Sequence, residues 1–268
     1  MRIYSQVCIT ILVFLLSYAA LQSINSTPQE ADSLSIHIPI AKSVLDGSFL
    51  SATKQSGVLY PASNEYILSL LIFLNIPLNI FNVLSVAFLF FTSFFLGVRL
   101  KFSKDFSVVF ATTFCTLYGV QRWLLTQKID VWLLGFFLLS LALLQKIKSE
   151  RSYFFVLGVS LGMLAGGKFT GIFFAILLIL FHAKKLVKNL TYQRLIFFIF
   201  PFTILGLFWY IRNYIGTGNP FYPLPFLIFE GNSQVASFTN WTVMKSLINN
   251  PMDLLNAFIS EYMIWWQL

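Results

Sequence analysis

Unbroken apolar runs recur along this chain, separated by short segments where lysine and arginine collect. That alternation limits the possible folds more than any other feature. The runs fall at about 6–24, 79–98, 106–121, 130–145, 152–166, 169–183 and 194–212, each near or slightly below the ~20 residues a helix needs to cross a bilayer. None alternates with a period of two, which argues against a β-barrel. Of the 268 residues, 57% are hydrophobic, 10% are charged and 31 are Phe, more apolar surface than one soluble core could hide. The expected fold is all-α: a polytopic membrane helical bundle of about seven transmembrane helices.

Charge sets the expected orientation. With the N-terminus cytoplasmic, the inner segments hold Arg2, Arg99, Lys101, Lys104, Lys146, Lys148, Arg151, Lys184, Lys185, Lys188 and Arg194, which is 11 of the 18 basic residues. Only Asp105 and Glu150 of the acids join them, while the outside keeps seven basic and eight acidic residues. Each short loop then obeys the positive-inside rule. The net charge of +8 becomes a topology signal, and no nucleic-acid partner is expected. Residues 152–183 would make one helix about 48 Å long, which would place the basic clusters on opposite sides. Two spans broken at Gly166-Gly167-Lys168 restore the rule.

Two larger segments, 25–78 and 213–268, then face outward. The first holds a mixed stretch at 32–46 and an apolar one at 66–76, too short to span and expected to lie at the interface. Cys8 and Cys115 sit singly within spans without metal-ligand spacing. Asn25-Ser26-Thr27 and Asn240-Trp241-Thr242 fit the glycosylation-acceptor pattern, a tripeptide common by chance.

On this topology the ionisable residues collect on one side. Asp32 and His37 follow the first run, and Tyr60, Pro61 and Glu65 close the first outer loop. Arg122, Lys128 and Asp130 occupy the second outer loop, Lys168 the third, and Arg212, Asn213 and Asn219 the fourth. Each has a plain structural alternative. Asp32 could cap a helix beginning near Ser33, Asp130 could partner a helix dipole, and Lys168 could snorkel. Charged groups at membrane depth are costly, so their joint placement points to a site. A carboxylate there could take a proton from an acceptor while Lys and Arg hold a phosphate leaving group. No Walker or Rossmann glycine pattern is present, so a lipid-linked phosphate donor fits better than a soluble nucleotide.

Six segments carry a family likeness: Asp32-Ser33-Leu34-Ser35-Ile36-His37-Ile38-Pro39, Tyr60-Pro61 with Glu65, Gln127-Lys128-Ile129-Asp130, residues 162–171, Trp209-Tyr210-Ile211-Arg212-Asn213, and residues 217–223. In order and spacing they resemble the GT-C integral-membrane glycosyltransferases, close to the family 39 protein mannosyltransferases and lipid A aminoarabinose transferases. The likeness covers roughly residues 1–225. It implies a seven-span module over 1–212 with juxtamembrane helices in the first outer loop, followed by an outer C-terminal segment, 213–268. It implies inverting transfer of a sugar from a polyprenyl-phosphate donor to a lipid, glycan or protein acceptor on the outer, extracytoplasmic face of a bacterial inner membrane.

By this resemblance Asp32 is the general base, and Asp130 orients the acceptor or assists. Lys168 and Arg212 face the donor phosphate, and Asn213 and Asn219 shape the site, with His37 on a family position of undefined role. Family members differ on metal use, so a divalent cation stays open although no metal-ligand cluster is visible in the sequence. Only about 55 residues follow the last run, which reads as a truncated or minimal module. Two other classes stay in play: a transporter or flippase of a lipid-linked or polar solute, and an inactive scaffold.

Overall fold

The computed structural model describes residues 3–51, 59–232 and 252. Helices account for almost all regular structure, and no strand occurs among the described residues. Helix α1 (Ile3–Asn25) is followed by a π turn (Ser33–His37) running directly into α2 (Ile38–Asp46), and then by α3 (Glu65–Phe73). Next come α4 (Ile80–Arg99), α5 (Lys104–Thr116), a short α6 (Tyr118–Gln121), α7 (Asp130–Gln145) and α8 (Arg151–Gly167). The described chain closes with α9 (Phe169–Phe181), α10 (Ala183–Asn189), α11 (Tyr192–Phe202), a second π turn (Thr203–Leu207) and α12 (Phe208–Thr217).

Three helices are long and apolar enough to cross a membrane: α1, α4 and the continuous 26-residue helix Tyr192–Thr217. A fourth results if α9 and α10, which meet at 69°, form one broken span. The other apolar runs form shorter helices. The run at 106–121 is divided: α5 stops at Thr116, where Leu117 turns extended, and Gln121 Nε2 donates back to the Cys115 carbonyl. Helix α7 has 16 residues and α8 has 17, about 24–26 Å against the ~30 Å of a hydrocarbon core. The last run extends well beyond 194–212. Residues 152–183 do break into two helices, with Lys168 extended between them.

Both π turns adjoin a proline. Pro39 and Pro201 offer no N–H to the carbonyl four residues back, and their rings crowd it. The first turn widens so that Ile38 N–H bonds to Ser33 O, five residues away. In an ordinary helix residues five apart point about 140° away from each other. The wider turn brings Asp32 and His37 round to line one cavity.

Packing runs from α1 and α5 through α4 to α7, α8 and α11. Phe81, Trp132, Phe136, Phe154 and Leu161 fill the larger core, and Val86, Leu89, Cys115 and Leu138 fill a second beside α1. Close approach of α8 to the last long helix depends on Gly158, Gly162 and Gly166, four residues apart on one face. A Cβ on Gly158 would lie 2.3 Å from the Phe198 carbonyl, and one on Gly166 would lie 1.9 Å from that of Leu205. Small residues at this spacing are how membrane helices reach backbone contact. Outward-facing Phe14, Phe91, Phe181 and Ile215 remain exposed, as lipid-facing positions would.

Asn240-Trp241-Thr242 and most of the 213–268 segment lie outside the described residues. Asn25 ends α1, with its side chain on the Leu21 carbonyl.

Candidate functional site

The helix leading into α2 starts at Ala31, two residues earlier than expected. Glu30 is its cap: its carboxylate accepts from Ser33 N–H at 2.7 Å and Ser33 Oγ at 2.8 Å. Asp32 makes no capping bond. Its carboxylate is half-exposed and sits 2.9 Å from Lys128 Nζ, which also reaches Glu30 at 3.3 Å.

Lys128 is positioned from below by buried amides. Asn82 Nδ2, near the start of α4, reaches the carbonyls of Trp123, Thr126 and Lys128 at 2.9–3.0 Å. Gln127 N–H bonds to Ser33 Oγ, and Gln127 Nε2 to Asn79 Oδ1, tying the loop before α7 to the π turn and to the start of α4. Lys128 Nζ also lies 4.1 Å from the Trp123 ring centroid, with Arg122 4.5 Å from the same ring. Burial alone would lower the Lys128 pKa, but Asp32, and then Glu30, outweigh it and raise it above its ordinary value. Burial likewise pushes Glu30 upward; bonds from Ser33 and the Asp32 backbone and the Lys128 charge reverse this, leaving it lowered.

Two further pairs complete the cluster. Asp130, first residue of α7, accepts from Lys168 Nζ at 2.8 Å across the α8–α9 break. His37 Nδ1 lies 2.8 Å from Glu65 Oε1 at the start of α3. Glu65 is 1% exposed. The start of α3 is anchored on the glycine end of α8: Ser63 N–H bonds to the Gly166 carbonyl, and Trp209 Nε1 to Ser63 Oγ at 2.7 Å, while Ser63 Oγ donates to the Leu205 carbonyl.

Three cavities meet at Asp130. One of about 210 Å³ is lined by Asp32, His37, Tyr60, Glu65, Lys128, Asp130, Lys168 and Phe169 among others. A wider one of about 880 Å³ is lined by Arg122, Trp123, Lys128, Asp130 and Lys168. The third, about 260 Å³, is almost wholly apolar: beyond Asp130 its walls are Leu133, Leu134, Phe137, Leu164 and Phe174.

Of the residues singled out from the sequence, Asp32, His37, Tyr60, Glu65, Lys128, Asp130 and Lys168 therefore share one cavity, with Arg122 on its neighbour. Arg212, Asn213 and Asn219 line none of the three. Arg212 is buried, bonding Asn213 Oδ1 and the Phe49 carbonyl with its guanidinium over Trp209. Asn213 reaches the Leu59 and Tyr222 carbonyls, and Asn219 those of Leu224 and Glu230. These three brace the segment between α2 and α3 and the segment after α12.

Sequence reasoning missed Glu30, Ser33, Asn79 and Asn82. Asn82 carries the clearest signal, an amide one turn inside an apolar run. Among the described residues no group of three or more His, Cys, Asp or Glu converges as a metal site. The family models, the curated proteins and the solved structures contain no match to this chain.

Proposed function

We propose that the protein is a membrane glycosyltransferase that moves a sugar, with inversion, from a polyprenyl-phosphate donor to an acceptor on the outer face of the membrane. The observation that carries this reading is the meeting at Asp130 of a polar, a cationic and an apolar cavity. A lipid-linked sugar phosphate has those three parts in that order. The prenyl chain would follow the apolar groove beside α7 and α9, the phosphate would face Lys168, Lys128 and Arg122, and the sugar would enter the smaller polar cavity.

The acceptor hydroxyl would lose its proton to Asp32 while its oxygen attacks the anomeric carbon from the side opposite the phosphate. The C–O bond to phosphate breaks, and the polyprenyl phosphate leaves with its new negative charge facing the lysines. In the unliganded protein Lys128 and Lys168 are occupied by Asp32 and Asp130. A phosphate that recruits the lysines would release both carboxylates at the moment they are needed. The seven-span topology, cytoplasmic N-terminus and bacterial inner membrane belong to the same proposal. They draw support from the loop charges and from the placement of Asp130 and Lys146 at opposite ends of α7.

The test is a transfer assay on the purified chain with a panel of polyprenyl-phosphate sugars and membrane lipid extract as acceptor. The protein should transfer at least one sugar. Asp32→Asn should insert and fold normally and lose roughly 10²–10⁴ in rate, the usual contribution of a general base. Full activity in that variant would sink the mechanism.

A further inference from the structure

His37 and Glu65 line the polar cavity but take no part in the proton transfer described above. Their geometry nonetheless demands a partner. Glu65 Oε1 is occupied by His37 Nδ1, whereas Glu65 Oε2 is buried and has no hydrogen-bond partner among the described residues. Both amide atoms of the adjacent Asn64 share that condition. Buried polar atoms are rarely left unpaired, and a carboxylate oxygen is among the costliest to strand.

Chemistry decides what could satisfy them. Where Glu65 is a carboxylate and His37 a neutral ring, Glu65 only accepts, His37 Nδ1 donates to it, and Nε2 is left as an acceptor. The pair therefore offers two acceptors, Nε2 and Oε2, and would be satisfied by two donors. The cavity, about 210 Å³, leaves room for a sugar ring. Tyr60 and Phe169, with ring centroids 5.9 Å apart, supply an aromatic wall for the apolar edge of such a ring.

We propose that His37 and Glu65 are the specificity-determining wall of the cavity, taking hydrogen bonds from two neighbouring hydroxyls of the donor's single monosaccharide. This rests on the transferase reading. The wall selects for O–H donors, so a fluorine, which keeps the size and polarity of a hydroxyl but donates nothing, is rejected along with hydrogen.

The experiment uses the full chain in lipid nanodiscs. The probes are decaprenyl phosphate, bare or carrying glucose, mannose, galactose or arabinose, then the monodeoxy and deoxyfluoro forms of whichever sugar binds tightest. The expected result is tighter binding of one sugar-bearing carrier than of the bare one. At two adjacent carbons, deoxy and fluoro substitution each weaken binding roughly 10- to 100-fold. His37→Phe and Glu65→Leu, which remove the two acceptors, bring the deoxy and fluoro forms level with the parent sugar. Deoxy and fluoro forms that bind the unaltered chain like the parent would overturn the proposal, since the wall would then hold only water. Equal binding of bare and sugar-bearing carriers would overturn it too, while leaving the donor site standing. No binding of any carrier would sink the transferase reading and this inference with it.

Discussion

Glu30 does at the helix start before α2 what Asp32 looked placed to do. Both are acidic residues near the same helix start, and only the hydrogen bonds of Ser33 separate cap from counter-ion. The consequence is a testable pH window. Glu30 is lowered in the folded protein, so its contribution to stability is present above its unfolded value of 4.5 and lost as pH falls through the folded one. Lys128 is raised, so its contribution is present below 10.5 and lost as pH rises beyond that. Glu30→Gln should therefore lower Tm by an amount that is constant between about pH 6 and 9 and shrinks below about pH 4. A Tm gap that instead changes between pH 6 and 9 would show that another titrating group governs the cluster. Arg212, Asn213 and Asn219 teach the converse lesson. Their residue types suit a phosphate site equally well, but their partners include carbonyls over 150 residues away for Arg212 and Asn213 and nearby ones for Asn219. Residue type alone does not distinguish those two uses.

Among the elements, α8 is the one on which the cavity's placement depends. Its glycine face receives the helix Tyr192–Thr217, and its C-terminal glycines receive the start of α3, which brings Glu65 to the cavity wall. Gly158→Ala and Gly166→Ala should each destabilise by about 1–3 kcal/mol or more, the usual cost of overpacking a close contact, read as a lower Tm in detergent. Gly119→Ala, where an added Cβ would meet nothing within 4 Å, is the control and should leave Tm unchanged or slightly raised. Equal loss at all three positions would refute the packing argument. The breaks between elements were partly legible. Gly166-Gly167-Lys168 announced the α8–α9 interruption, whereas the end of α5 at Thr116 did not show, because Leu117 is apolar and its extended backbone leaves no compositional trace. The π turns were also hidden: a proline signals a perturbed helix, and whether it kinks, ends or widens depends on what packs beside it.

For the whole molecule, the basic clusters and the carboxylate cluster should lie on opposite sides of the membrane. In a variant lacking Cys8, a cysteine at exposed Gln29 should react with a membrane-impermeant maleimide from outside, and one at exposed Lys188 only after permeabilisation. Labelling of both from the same side would refute the topology. The amino-acid sequence by itself determined the all-helical class and the apolar segments, because apolar runs and lysine placement are local properties paid to the solvent one segment at a time. It also named most of the cavity's ionisable residues, since charges beside apolar runs are conspicuous. Only the tertiary structure decided which helices reach membrane length, which acid caps and which pairs with Lys128, and that Arg212, Asn213 and Asn219 are braces. The physical reason is the same each time: these outcomes depend on the partner a polar atom or a glycine face meets across the fold, and that partner is distant in the chain.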